Sequence, residues 1–184
     1  MISNADRSGW FGASDTAMIM GSWKTKTFTK WWAVKLGIMR NDFKNAAMLA
    51  GTHFEHRILD AIGVEKRDRQ LKKRRLRLRV NLDGEDQNTV YEVKTHSGAW
   101  KLPKNYWQQV QVQMWVTGKK GCIIHYKMEP DDYMNYFNPI DPERLGREDI
   151  EPDREWIEKE YLPRLRILAQ ALKKGERPVE PERK

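Results

Sequence analysis

The chain has 184 residues, with 34 Lys and Arg against 26 Asp and Glu for a net charge of +8, enough for one domain with its own core. Its eight Trp, six Tyr and five Phe exclude a disordered polyelectrolyte, and its single Cys excludes both a disulfide framework and a multi-cysteine metal centre. No apolar run is long enough to cross a membrane and the first residues, MISNADRSGW, lack the layout of a signal peptide, so a cytoplasmic protein is expected, its positive surplus suited to a polyanion partner.

Residues 1–13 read as an irregular opening. A short helix is expected over 14–20 with Ser14 or Asp15 as N-cap, a second over 27–39 ending near Gly37, and a third over 42–62 with Gly63 just past its end. The run KRDRQLKKRRLRLR (66–79) holds nine basic residues and one acid. Its end alternates, with Leu76, Leu78, Val80 and Leu82 on one side and Arg77, Arg79, Asn81 and Asp83 on the other, which predicts a half-buried strand. A turn over 84–88 leads to a strand over 90–95, and the short link argues for a hairpin. A helix over 105–117, a strand over 121–128 and a helix over 153–174, kinked or split at Pro163, complete the pattern. The expected fold is α/β, a small mixed sheet flanked by helices, forming one domain over 1–175 with a mobile polar tail over 176–184.

The chemistry concentrates in VNLDGEDQNTVYEVK (80–94). Glu92 and Lys94 lie two apart on one strand and share a face, and hairpin pairing brings Asp83 to them. Two carboxylates about 4 Å apart repel by roughly 4 kcal/mol at an effective dielectric near 20. Lys94 relieves part of that and a divalent cation relieves more. Oxygen donors, with the backbone carbonyl of Val93 between the two side chains, suit Mg²⁺ or Mn²⁺. Such an ion activates water and stabilises charge on a phosphate under attack. Taken alone the spacing is weak, and a cross-strand salt bridge on a surface hairpin accounts for it as well.

Three further features bear on the choice. Glu55 falls on the apolar stripe of the third helix with Gly51, Phe54, Ile58, Leu59 and Ile62, so it either pairs, with His56 or Arg57 nearest in sequence, or faces a metal or substrate. On YWQQVQVQMWVT, Tyr106, Gln109, Val110, Gln113 and Thr117 share a face, where a neutral amide can orient a water or a phosphate; Gln108 and Gln111 lie elsewhere and are expected on ordinary polar surface. Near the N-terminus, Arg7 and Ser14 flank small residues ahead of a helix, either an anion site or plain N-capping, with Asp15 arguing against the former.

These segments, RSGWFGASD (7–15), GTHFEHRIL (51–59), NLDG (81–84), EVK (92–94) and YWQQVQVQMWVTG (106–118), together resemble the lambda-exonuclease/YqaJ-type viral recombinases within the PD-(D/E)XK nuclease superfamily. The Tyr-x-x-Gln-x-Gln helix with its Met-Trp-Val-Thr run is the most specific match. The resemblance implies that Asp83 and Glu92 are metal ligands, Lys94 the catalytic lysine, Glu55 an acid at a second Mg²⁺ or its water, and Gln109 a neighbour of the scissile phosphate. Arg7 and Ser14, seven apart, would hold a 5′-terminal phosphate. It further implies 5′→3′ resection of one strand of duplex DNA, ring-shaped trimers with DNA in the central channel, and work beside a strand-annealing protein in recombination. The basic run, including Arg77 and Arg79, would bind the backbone with a steep salt dependence. Leu82 stands where lambda-type members carry Pro, and Thr95 and His96 stand where they often carry Cys-Pro. Two other readings share the residues: a structure-specific or restriction-type endonuclease of the same superfamily, and a non-catalytic DNA-binding protein on a nuclease fold.

Overall fold

The computed structural model describes residues 8–40 and 46–182. Five strands form one sheet in the order β1-β2-β3-β4-β5: β1 (Lys66–Lys73), β2 (Leu78–Glu85), β3 (Thr89–His96), β4 (Lys120–Lys127) and β5 (Leu145–Ile150). Only β3 and β4 run parallel. A parallel neighbour cannot be reached by a tight turn, and the crossover here is α4 (Lys104–Thr117). The mixed α/β class expected from the sequence is what the chain adopts.

Alternation along the central pair sends apolar side chains to both faces. Val90 and Ile123 join one cluster with Phe11 of the opening segment, Trp32 of α2 (Lys26–Lys35), Val110 and Met114 of α4 and Leu165 of α6 (Leu162–Lys174). Tyr91, Val93, Cys122 and Ile124 join the other, with Ala50, Phe54, Ile58 and Leu59 of α3 (Ala46–Ala61). Helices thus cover both faces of the sheet. Two glycines make the close approaches possible. A Cβ on Gly121 would stand 2.4 Å from Val110 of α4, and one on Gly84 would stand 2.8 Å from both Leu59 and Val64.

Several elements differ from the sequence expectation. The basic run is two strands rather than one. β1 forms the sheet edge, a 3-10 turn follows (Arg74–Leu76), and Arg77 takes a left-handed conformation at φ 50° before β2 begins at Leu78. Leu76 and Arg77 therefore do not continue the β2 alternation. β5 was not anticipated; its sequence, LGREDI, pairs along β4 but only Ile150 is buried, so it lacks the apolar alternation that signals a strand. The helix expected over 27–39 ends at Lys35 and begins behind Thr25, whose hydroxyl accepts from Phe28 N–H at 3.0 Å. The first helical segment divides into a 3-10 turn (Ala13–Asp15) and α1 (Thr16–Met20). The C-terminal helix starts as α5 (Arg154–Trp156), widens into a π turn (Ile157–Tyr161) and resumes as α6, so the widened turn directly precedes Pro163, which has no N–H to donate. After Gly175 the chain is tied at Glu180, which accepts from Trp23 N–H at 2.9 Å and faces Arg164 at 3.4 Å. Gln108 and Gln111, expected on the surface, are buried. Gln111 bonds Glu151 O and Asp153 N–H, both at 2.7 Å, and so fastens α4 to the start of α5.

Candidate active site

β2 and β3 pair only at Gly84↔Tyr91 and Glu85↔Val90, next to their connecting turn. Beyond that point they part, and the Asp83 carboxylate bridges the gap by accepting from Val93 N–H at 2.8 Å. The backbone separation makes room for side chains. Asp83, Glu92, Val93, Lys94, Glu55 and Gln109 line one cavity of about 250 Å³, with Ser14, Arg79, Asn81 and Trp10 also on its wall. Three elements distant in sequence, α3, the β2–β3 pair and α4, thus converge as the hairpin reading requires.

Glu92 is buried and held from three sides. Its Oε1 accepts from Lys94 Nζ at 2.5 Å and Gln109 Nε2 at 2.6 Å, and its Oε2 accepts from Gln113 Nε2 at 2.5 Å. Gln113 was not singled out from the sequence as a site residue. It follows Gln109 by four positions on a helix, so the spacing that marks Gln109 marks it too. Lys94 also lies over the Tyr106 ring, 4.7 Å from its centroid.

Glu55 is half-buried. Its sequence neighbours do not neutralise it. Arg57 donates to the backbone carbonyls of Tyr136, Phe137 and Asn138, and His56 Nε2 meets Asp68 Oδ2 at 3.0 Å. Burial, then the charge of Glu92 and that of Asp68, raise the Glu55 carboxyl to about 7. Asp83 is raised as well, by burial first and then by Glu92 and Glu55. Burial disfavours the charged form of Lys94, but Glu92 and Asp83 outweigh it and hold the ammonium charged. Carboxylates crowded around one lysine, at the cost of their own ionisation, are an arrangement that a cation would relax. The donors are oxygens, and Glu92 Oε2 and Asp83 keep unused lone pairs, so the residues fit a hard divalent ion. Glu55, His56 and Asp68 also bring one ligand atom each within 4.8 Å of one another. Asp68 stands between the β1 residues paired to Gly84 and Leu82, and so beside Asp83, a proximity that the register of an unanticipated strand hid from sequence reading.

Around the mouth, Ser14 is exposed, and Asp15 lies on the same wall with Lys35, its carboxylate already engaged. Asp15 Oδ2 accepts from Gly12 N–H and Lys35 Nζ, both at 2.6 Å, and Oδ1 accepts from Trp31 Nε1 at 2.9 Å. The acid that argued against an anion site is thus occupied by a buried lysine that no local pattern announces. Arg79 lines the cavity; Arg77 does not, lying at the turn with its guanidinium 6.0 Å from the Trp10 ring. Arg7 falls outside the described residues.

Among the described residues no helix is long and apolar enough to cross a membrane. No curated protein matches the chain. The fold is similar to an alkaline exonuclease from Laribacter hongkongensis, at 20% identity and a TM-score of 0.68 over 93% of this chain and 91% of that one. A second solved structure, SSO0001, aligns at 16% identity and a TM-score of 0.48 over 97% of this chain and 83% of its own. The YqaJ-like viral recombinase domain model matches residues 4–120, which take in α3, β1, β2, β3 and α4 with every cavity residue described above. The chain belongs to the YqaJ-like viral recombinase domain family.

Proposed function

We propose that the protein is a divalent-metal-dependent DNA exonuclease that removes nucleotides from the 5′ end of one strand of a linear duplex. The observation that carries this reading is the meeting of Glu55, Asp83, Glu92 and Lys94 in one cavity, with Gln109 beside them and Ser14 and Arg79 at its rim. The similarity to an alkaline exonuclease agrees with it.

Asp83, Glu92 and the Val93 carbonyl would hold Mg²⁺, or Mn²⁺ in its place, with Glu55 at a second ion. A bound ion supplies a nucleophilic water and charge stabilisation at phosphate. The protein's own groups do the positioning. Gln109 and Gln113 fix the Glu92 carboxylate, leaving it no freedom to swing away from the cavity. Lys94, kept charged by Glu92 and Asp83, places an ammonium where negative charge grows as water attacks phosphorus in line. The P–O3′ bond breaks, the 3′-oxygen takes a proton, and the released nucleotide keeps its 5′-phosphate. Ser14, Arg79 and Arg7 would receive the terminal phosphate. The basic edge of β1 and the turn after it, with Arg77, would follow the duplex backbone.

Ring-shaped trimers, a single-strand-annealing partner and action in the host cytoplasm are part of the same proposal and rest on family membership. So does a single nuclease domain over 1–175. The direct test offers linear duplex and covalently closed circular DNA to the protein with Mg²⁺. Loss of the linear form with sparing of the circle is expected. Cutting of the closed circle would favour an endonuclease, and binding without cleavage of either would favour the non-catalytic reading.

A further inference from the structure

Trp10 is a large aromatic side chain left half-buried on the wall of the cavity, and the backbone around it is fixed. Phe11 N–H donates to Arg77 O at 2.7 Å and Phe11 O accepts from Arg79 N–H at 2.8 Å, so this segment lies against the start of β2 as a short parallel bridge. The Phe11 ring goes inward, fully buried against Trp31 and Trp32. Neighbouring side chains of extended backbone point to opposite sides, which turns the Trp10 indole outward to the cavity mouth.

Its surroundings are cationic. Lys72 Nζ lies 5.5 Å and Arg77 Cζ 6.0 Å from the indole ring. Arg79 lines the same cavity and makes no ion pair among the described residues. Along β2 the cavity-lining side chains alternate as Arg79, Asn81 and Asp83. At the rise of an extended strand this row runs about 13 Å from the rim to the acidic centre. An aromatic face set among cations, at the outer end of a polar row leading to the acids, is the pairing that single-stranded nucleic acid uses: stacking for a base, charge for its phosphates.

We infer that Trp10 is the stacking platform for the base of the terminal nucleotide on the strand being cut. This rests on the exonuclease reading and adds to it the contact that seats the end. Stacking on an indole is tolerant of base identity because each base offers a π face, which is what an enzyme consuming arbitrary sequence requires. The cations hold the phosphates on either side, and the ring holds the base away from its complementary partner.

The test measures binding of linear duplex in EDTA, where hydrolysis is blocked, and hydrolysis in Mg²⁺. It compares wild type, Trp10→Phe and Trp10→Ala on duplexes whose 5′-terminal nucleotide is intact, abasic or 2-aminopurine. Trp10→Ala should weaken binding of the intact end about 30-fold, the middle of the range for one base on one aromatic ring, and raise KM more than it lowers kcat. Trp10→Phe should restore most of the loss. On the abasic end, wild type and Trp10→Ala should bind alike, and wild type alone should quench terminal 2-aminopurine. Equal losses from Trp10→Ala on intact and abasic ends would overturn the proposal, since the indole would then act through Lys72, Arg77 or the fold. Trp10→Ala indistinguishable from a wild type that degrades linear DNA would overturn it while leaving the exonuclease reading intact. A wild type that neither binds nor degrades linear DNA would overturn both.

Discussion

The metal-free protein should lose stability as pH rises from 5 to 8, and Glu55→Gln should remove much of that loss. Glu55 ionises near 7 in the folded protein against an ordinary value of 4.5. Between those values the folded chain holds a proton that the unfolded chain has released. Stability is therefore fully present below the lower value, falls through the window and is flat above it. A displacement of this size corresponds to at most about 3 kcal/mol, and partial solvent access to Glu55 brings it to roughly 1 to 2 kcal/mol. For a chain of this length that is about 2 to 8 °C in melting temperature. Asp83, raised by burial and the same neighbours, acts in the same direction. His125 acts oppositely, because burial and then His96 lower it and its neutral form is favoured on folding. The comparison with Glu55→Gln isolates the carboxyl from the histidine. Thermal melts at pH 5 and pH 8 in EDTA, repeated with millimolar Mg²⁺, give the measurement. Mg²⁺ should raise the melting temperature at pH 8 far more than at pH 5. A wild-type pH slope unchanged by Glu55→Gln, together with no Mg²⁺ stabilisation at pH 8, would refute the account of the acids as a strained cation site.

Three substitutions examine the roles separately. Lys94→Ala should reduce hydrolysis in Mg²⁺ by at least about 100-fold, the scale for removing one charge-stabilising donor, and near-equal rates would remove Lys94 from the chemistry. Asp83→Asn should weaken Mg²⁺ binding in calorimetric titration while the melting temperature in EDTA holds or rises, because a repelled buried carboxylate has been neutralised; an unchanged titration would exclude it as a ligand. Arg7→Ala should abolish any preference for 5′-phosphorylated over 5′-hydroxyl ends, and a preference that persists would place the phosphate elsewhere.

How far the sequence alone carried depends on how local each signal was. Glu92, Lys94 and Gln109 were legible because strand alternation and helical spacing fix their relative directions. Asp83 was legible through the short hairpin, although its bond to Val93 N–H arises only because β2 and β3 part below Gly84. Gln113 lay within reach of the same helical argument. Lys35, Asp68 and Glu180 were not, since each owes its place to contacts between segments far apart in the chain. β1 and β5 were missed for a related reason. As edge strands they carry charged residues over half or more of their length, and their evidence as strands is backbone pairing, which leaves no apolar rhythm.

Metal-dependent hydrolysis that starts from a DNA end at Asp83, Glu92 and Lys94 can be read from a digestion time course on linear duplex labelled at one 5′ end and blocked at the other, with and without Mg²⁺. Label should be released first as mononucleotide, only with Mg²⁺, and the complementary strand, its own 5′ end blocked, should stay intact. Release at the same rate in EDTA, or labelled internal fragments ahead of any mononucleotide, would contradict it.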